Sequence, residues 1–166
     1  MPERNYILDK SACSRKINRM ALELAEHLNG DQTPVFILGI RNSGSVIAEK
    51  VATELRNYVS NQVQTAVLSL DKSMPKDVEI SGDFDFNGVH VVIADDVTNS
   101  GRTLLYALKP LLQFHPKSIQ TLVLVERMHK LFPVKPDFVG LSVATTIQEH
   151  IQVEVTNGEI EGAYIS

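Results

Sequence analysis

Val89-His90-Val91-Val92-Ile93-Ala94-Asp95-Asp96-Val97-Thr98-Asn99-Ser100-Gly101-Arg102-Thr103 is the segment on which the fold turns. Val89 to Ala94 reads as an apolar strand that delivers two adjacent carboxylates. A short turn rich in hydroxyls follows, and a helix is expected from Arg102 to Leu112. Working back, Val35-Phe36-Ile37-Leu38-Gly39-Ile40 is a continuous apolar run after Pro34. Its lack of alternation predicts a strand covered on both faces, as in a parallel sheet. Between the two, Val63 to Leu70 fits another strand, and Asp71 to Asn87 is a long polar loop of the kind that more often serves function than idles.

Helical spacing marks two earlier segments. Ile17, Met20, Ala21, Leu24, Ala25 and Leu28 form one apolar stripe, predicting a helix from Ser14, as N-cap, to Asn29-Gly30. Ser45 is expected to open a second helix that turns Ile47, Val51, Leu55 and Tyr58 inward. Downstream, Leu122 to Val125 and Phe138 to Val143 read as strands. Ile151 to Val155 and Ile160 to Ile165 flank Thr156-Asn157-Gly158-Glu159, a strong hairpin signal because both central residues of such a turn need positive φ. The alternation predicts an α/β protein: an open, mainly parallel sheet flanked by helices, with a small C-terminal antiparallel flap, in a single domain over residues 1–166.

Composition narrows the function classes. The chain has 166 residues, 43% of them hydrophobic, and a net charge of −4. Charges of both signs are interspersed, which gives no support to a nonspecific nucleic-acid binder. Arg4, Lys10, Arg15, Lys16 and Arg19 do cluster near the start, so RNA stays open as a partner unsupported by overall charge. Cys13 is the lone cysteine, which excludes a disulfide framework and a cysteine metal site. The apolar strings are strand-sized, and no signal-peptide core precedes them. A cytoplasmic protein without a membrane partner is expected.

The chemistry sits where strand becomes loop and then helix, since open parallel sheets bind ligands beyond the carboxyl ends of their strands. The turn Val97-Thr98-Asn99-Ser100-Gly101-Arg102-Thr103 offers free amides and hydroxyls, suited to a phosphate. Asp95 and Asp96 beside it make sense if the ligand also carries neighbouring hydroxyls, or a carbon that turns cationic during reaction. A ribose 5-phosphate unit meets both demands. The acid pair alone would be an ordinary solvated turn, and the hydroxyl turn alone an ordinary cap; the complete string is what carries the reading.

That string resembles the phosphoribosyl-diphosphate signature of the type I phosphoribosyltransferases. Ile7-Leu8-Asp9, Arg19-Met20-Ala21-Leu22-Glu23-Leu24, Val125-Glu126-Arg127-Met128-His129-Lys130, Pro133 and Pro136-Asp137-Phe138-Val139-Gly140 extend the similarity to the pyrimidine-operon regulator/uracil phosphoribosyltransferase family. The resemblance implies transfer of a phosphoribosyl group from 5-phosphoribosyl 1-diphosphate to a nucleobase, with uracil expected and UMP and diphosphate as products. It implies Mg²⁺ carried with the diphosphate, no metal held by the protein alone, and a homo-oligomer. Asp95 and Asp96 would act on the ribose, residues Val97 to Thr103 would hold the 5-phosphate, Arg41, Asn42, Ser43 and Gly44 the diphosphate, and Glu126, Arg127, Met128 and His129 would border the base. His90 and His115 are assigned no role.

The sequence departs from that family's pattern in four places. Ser43 stands where Arg is usual. Met128 replaces Gly in Asp-Arg-Gly-His, whose first residue is here Glu126. Thr98-Asn99-Ser100 replaces Leu-Tyr-Thr, and the Asp71 to Asn87 loop is short for the family's lid. Ser43 and Met128 keep a second reading alive, a nucleotide sensor of the same fold with little or no transferase activity. A phosphoacceptor receiver domain also carries paired acids, but after its first strand, and is rejected.

Overall fold

The computed structural model describes residues 4–166, so the start of the chain before Arg4 lies outside the described residues. β1 (Asn5–Asp9) runs directly into α1 (Lys10–His27); then come β2 (Val35–Ile40), α2 (Ser43–Leu55), β3 (Val63–Ser69), β4 (Glu79–Ile80), β5 (His90–Thr98) and α3 (Arg102–Ala107). A 3₁₀ turn (Lys109–Leu111), β6 (Ser118–Arg127), β7 (Phe138–Val143), β8 (Ile151–Thr156) and β9 (Glu159–Ile165) complete the chain.

Six strands form the main sheet in the order β4-β3-β2-β5-β6-β7, parallel except for β4. Every residue of β2 is buried, as its unbroken apolar run predicts. Period-two alternation divides it between two cores. Val35 and Ile37 face α1 and α2, with Ile17, Met20, Leu24, Ile47, Val51, Val92 and Leu124 in the same cluster. Phe36, Leu38 and Ile40 face the other side, with Phe86, Val91, Ile93, Leu104, Leu111 and Val123. Phe86 lies edge-on to both Phe36 and Phe114, at ring separations of 5.2 and 5.3 Å. The sheet is thus covered on both faces, which is what an open parallel sheet requires.

The chain passes from β2 outward to β3, then crosses to β5 on β2's other side. The strand order therefore reverses between β2 and β5, and the loops that follow them open a crevice there. Register deepens it. β2 and β5 pair from Val35↔His90 to Gly39↔Ala94, whereas β5 and β6 stay paired as far as Thr98↔Glu126. β5 overhangs β2, and Asp95 and Asp96 lie on the overhang.

Several boundaries differ from the sequence reading, each for a local reason. α1 starts at Lys10, not Ser14, because Asp9 is the cap and its Oδ1 accepts from the Ala12 N–H at 2.7 Å. α2 starts at Ser43, and Tyr58 lies beyond its end, half exposed. β5 continues through the acid pair to Thr98 because β6 keeps bonding it. α3 ends at Ala107, since Pro110 cannot continue an α-helix and the chain tightens into the 3₁₀ turn. The polar loop from Asp71 contains the short β4.

The C-terminal hairpin forms as expected, with Asn157 at φ 51° and Gly158 at φ 75° in its turn. It is joined by β1, giving a three-stranded antiparallel sheet β1-β9-β8. Leu8, Ile151, Ile160 and Ala163 from this sheet share the buried cluster of α1 and α2.

Where β2 hands over to α2, backbone crowds backbone. A Cβ on Gly39 would lie 2.5 Å from Ser45 Cα and 2.7 Å from the Gly44 carbonyl oxygen. Neither is a flexible end that can yield. Gly39→Ala should therefore lower unfolding free energy by about 1–3 kcal/mol, the usual cost of overpacking a filled interior. Urea denaturation checks this; an unchanged midpoint would mean that the β2–α2 turn is looser than described.

Candidate active site

Asp95 is 1% exposed at the β5 overhang. Its Oδ1 accepts from the Asp96 N–H at 2.9 Å, and Asp96 Oδ1 accepts from the Val97 N–H at 2.8 Å. The turn after β2 presses on this point: a Cβ on Gly44 would sit 2.9 Å from the Ala94 carbonyl oxygen and 3.1 Å from Asp95 Oδ1. Glycine is what lets the two strand-to-helix turns approach.

A residue that the sequence reading did not single out completes this cluster. Lys72 Nζ lies 3.0 and 3.3 Å from the two Asp95 oxygens and 3.4 Å from Asp96 Oδ1. Its own segment is tied down by Arg102, whose Nη2 donates to the Lys72 and Ser73 carbonyls at 3.4 and 3.0 Å. Lys72 sits in a polar loop with its carboxylate partners far ahead in sequence, so no local pattern announces it.

A cavity of about 450 Å³ opens over the acids, lined by Lys72, Asp96 and all seven residues from Val97 to Thr103. Ile151, Gln152 and Val153 of β8 close its far wall, so the antiparallel sheet contributes to the site. Gly101 adopts φ 89°, and a Cβ there would approach the Val134 and Phe132 carbonyl oxygens at 3.1 and 3.3 Å. The turn is also clasped from outside. The Ser100 carbonyl accepts from the Leu131 and Phe132 amides at 2.9 and 3.0 Å.

A second cavity, about 580 Å³, lies against the other side of the same turn, lined by Asn99, Ser100, Arg127, His129, Leu131, Thr145, Thr146 and Ile147. Arg127 donates to the Thr146 carbonyl. Glu126 is buried beneath, where it accepts from Ser142 Oγ at 2.9 Å and pairs with Lys130 at 3.4 Å. Burial pulls the Lys130 ammonium down against that pairing. Met128 is 60% exposed and is not part of the cavity wall. Thr145 is a further residue that sequence reasoning missed: its Oγ1 is buried with no hydrogen-bond partner among the described residues.

The expected diphosphate loop is brought to the crevice only in part. Gly44 packs on Asp95, whereas Arg41 and Asn42 are exposed and line neither cavity. The Arg41–Asn42 peptide is cis. Among the described residues no cluster of three or more His, Cys, Asp or Glu is arranged to hold a metal ion.

Comparison with known proteins places this geometry. The phosphoribosyl transferase domain matches residues 3–157. The chain belongs to the phosphoribosyltransferase family. The transferase is 32% identical over 160 residues to the bifunctional protein PyrR of Macrococcus caseolyticus, covering 91% of both chains. It is 34% identical over 172 residues to that of a Roseiflexus species, covering 96% of this chain and 93% of the other. Among solved structures, the hypoxanthine phosphoribosyltransferase of Trypanosoma cruzi superposes with a TM-score of 0.81 at 14% identity, over 97% and 95% of the two chains. A hypoxanthine-guanine phosphoribosyltransferase of Bacillus anthracis gives 0.71 at 18%, over 86% and 84%. The likeness to both structures is one of fold: the type I phosphoribosyltransferase architecture.

In this transferase the acid pair is electrostatically expensive. Burial, then the Asp96 charge, pushes the Asp95 carboxyl well above the ordinary carboxylate value, with Lys72 opposing. Burial disfavours the Lys72 ammonium, but the two acids outweigh it and raise its pKa. A carboxyl raised by folding contributes stability that is fully present below its unfolded pKa and lost as pH rises through the folded one. Asp95 therefore destabilises the fold at neutral pH. Asp95→Asn should melt above the parent at pH ~7, with the gap narrowing as pH falls toward the ordinary value of 3.8. Thermal midpoints across that range test it, and a variant that melts at or below the parent at neutral pH contradicts it.

Proposed function

We propose that the protein transfers a phosphoribosyl group from 5-phosphoribosyl 1-diphosphate to a nucleobase, with uracil as the base and UMP and diphosphate as products. The observation that carries this reading is the shared wall: Asn99 and Ser100 line both cavities, so one turn separates a phosphate-suited cavity from a base-sized one. A phosphoribosyl unit in the first presents its anomeric carbon toward the second. Uracil rests on the sequence resemblance and on the PyrR relatives.

In this reading the amides and hydroxyls of Val97 to Thr103 hold the 5-phosphate, and Asp95 and Asp96 accept from the ribose hydroxyls. As the bond from anomeric carbon to diphosphate oxygen breaks and the bond to the base nitrogen forms, positive charge develops on the sugar. Two fixed carboxylates beside it favour that charge without reorganising. Arg127, His129 and Thr145 border the base. Hard carboxylate oxygens with ribose oxygens nearby suit magnesium, and when bound with the diphosphate the ion supplies neutralisation of the leaving group. Met128, turned to solvent, leaves room for a base, as both the enzyme and the nucleotide-sensor readings require. A cytoplasmic site fits Cys13, whose thiol burial pushes up to about 11 and keeps protonated. The single domain over 1–166 and a homo-oligomer belong to the same proposal.

The direct test is diphosphate release from phosphoribosyl diphosphate and Mg²⁺ with a panel of nucleobases, alongside UMP binding by calorimetry. Turnover with uracil is expected; UMP binding without turnover on any base would support the sensor instead. Two variant sets test the residues. Ser100→Ala/Thr103→Ala should weaken UMP binding by about 0.5–1.5 kcal/mol per lost hydroxyl, and unchanged affinity would remove those hydroxyls from the site. Asp95→Asn and Asp96→Asn keep shape while removing charge. At least one should lower turnover about 10²-fold, or ~2.7 kcal/mol of transition-state stabilisation, and full activity in both would take the acids out of the mechanism.

A further inference from the structure

Lys72 holds a position that the proposed chemistry requires it to leave. Asp95 Oδ1 is occupied by the Asp96 N–H and Lys72, and Oδ2 has Lys72 as its partner among the described residues. Asp95 is so buried that another donor reaches these oxygens only if the ammonium withdraws. Lys72 is also the ion-pair partner of Asp96, and no other described cation pairs with either acid. Its side chain is 44% exposed on the cavity wall, while its backbone is anchored by Arg102 through the carbonyls of Lys72 and Ser73. An anchored backbone beneath a flexible four-carbon stem keeps the charge over the cavity yet lets it swing.

We propose that Lys72 is the exchangeable counter-ion of this site, paired with Asp95 and Asp96 in the ligand-free protein and transferred to the diphosphate when substrate hydroxyls and substrate-borne magnesium take the acids. The inference rests on the transferase reading and deepens it. Displacing an ammonium from two carboxylates is costly unless it gains another anion. A ligand that brings both hydroxyls and a diphosphate supplies that anion in the same step. A nucleoside brings hydroxyls alone and leaves Lys72 unpaired. The exchange would thus make the acids available to a ligand that carries its own anion, and would keep free divalent cations off them at other times.

The test uses the full chain with Lys72→Met and Lys72→Arg, titrated calorimetrically with Mn²⁺ alone, with phosphoribosyl diphosphate plus Mg²⁺, and with UMP. Lys72→Met should bind Mn²⁺ alone at least about ten-fold more tightly than the parent, because the competing ammonium is gone. It should bind phosphoribosyl diphosphate at least about ten-fold more weakly, with UMP, which lacks a diphosphate, bound no more weakly than by the parent. Lys72→Arg, which keeps the charge, should restore the weak Mn²⁺ binding and the tight phosphoribosyl diphosphate binding. If Lys72→Met does not fold, Lys72→Gln, which retains a donor for the acids, is measured in its place with the same expectations. Parent-like affinity for either Mn²⁺ or phosphoribosyl diphosphate in the uncharged variant overturns the exchange alone. A parent that binds no phosphoribosyl diphosphate overturns the transferase reading and the exchange with it.

Discussion

A carboxylate buried beside another carboxylate is the constraint around which this molecule is arranged. Asp95 can be held there because β5 remains paired with β6 after β2 has ended, so the backbone is satisfied on one side and opened on the other. The hydrophobic strands that build the sheet thereby fix a pair of charges at the switch point. Those charges then demand partners. Backbone amides of Asp96 and Val97 supply two, and Lys72 supplies the positive charge that the interior cannot. Burial stiffens Asp95 and raises the energy of its charged form. These are the conditions under which a fixed anion favours a neighbouring cation most, because little solvent intervenes.

The turn from Val97 to Thr103 depends on that same strand end and is held from both sides. Its Ser100 carbonyl takes two amides from the 131–132 segment, while Gly101 lets that segment pass close behind it. Arg102 reaches the other way, to the loop that carries Lys72. One short turn thus fixes the first cavity, borders the second and anchors the counter-ion. A helix of only six residues follows it, so the polar groups gathered here are the turn's own amides and hydroxyls rather than the start of a long helix.

The parts of this arrangement that were legible in the sequence are those with a local physical signature. β2 and β5 announced themselves because a doubly covered strand must be apolar throughout, and Asn157-Gly158 did so because its turn needs positive φ at both positions. β1 carries no comparable signal: of its five residues only Leu8 is buried, and its pairing with β9 spans the length of the chain. The start of α1 was misplaced because Lys10 and Ser11 face solvent, so the apolar stripe begins later than the helix. Asp95, Asp96 and the hydroxyl turn could be named as a candidate site because they are contiguous. Lys72, Thr145 and the β8 wall could not, since each acquires its meaning only from its place in the fold: Lys72 from its carboxylate partners, Thr145 and β8 from the cavities they line.

The departures at Ser43 and Met128 carry different weight once the geometry is considered. Met128 points to solvent from a strand end whose neighbours Arg127 and His129 line the second cavity, so a long side chain there need not obstruct a base. Ser43, which lines neither cavity, bears on the charge expected of the diphosphate loop. With serine where the family usually has arginine, the cations left for a diphosphate are Arg41, which is exposed, Arg102, which is engaged with loop carbonyls, and Lys72, which is engaged with the acids. Of the three, Lys72 and Arg102 line the cavity, and of those two Lys72 is the one held by carboxylates, the acids that the proposed reading assigns to the ribose. A site that lacks a fixed arginine for the leaving group can still meet it with a positive charge, provided that charge is released by the act of binding.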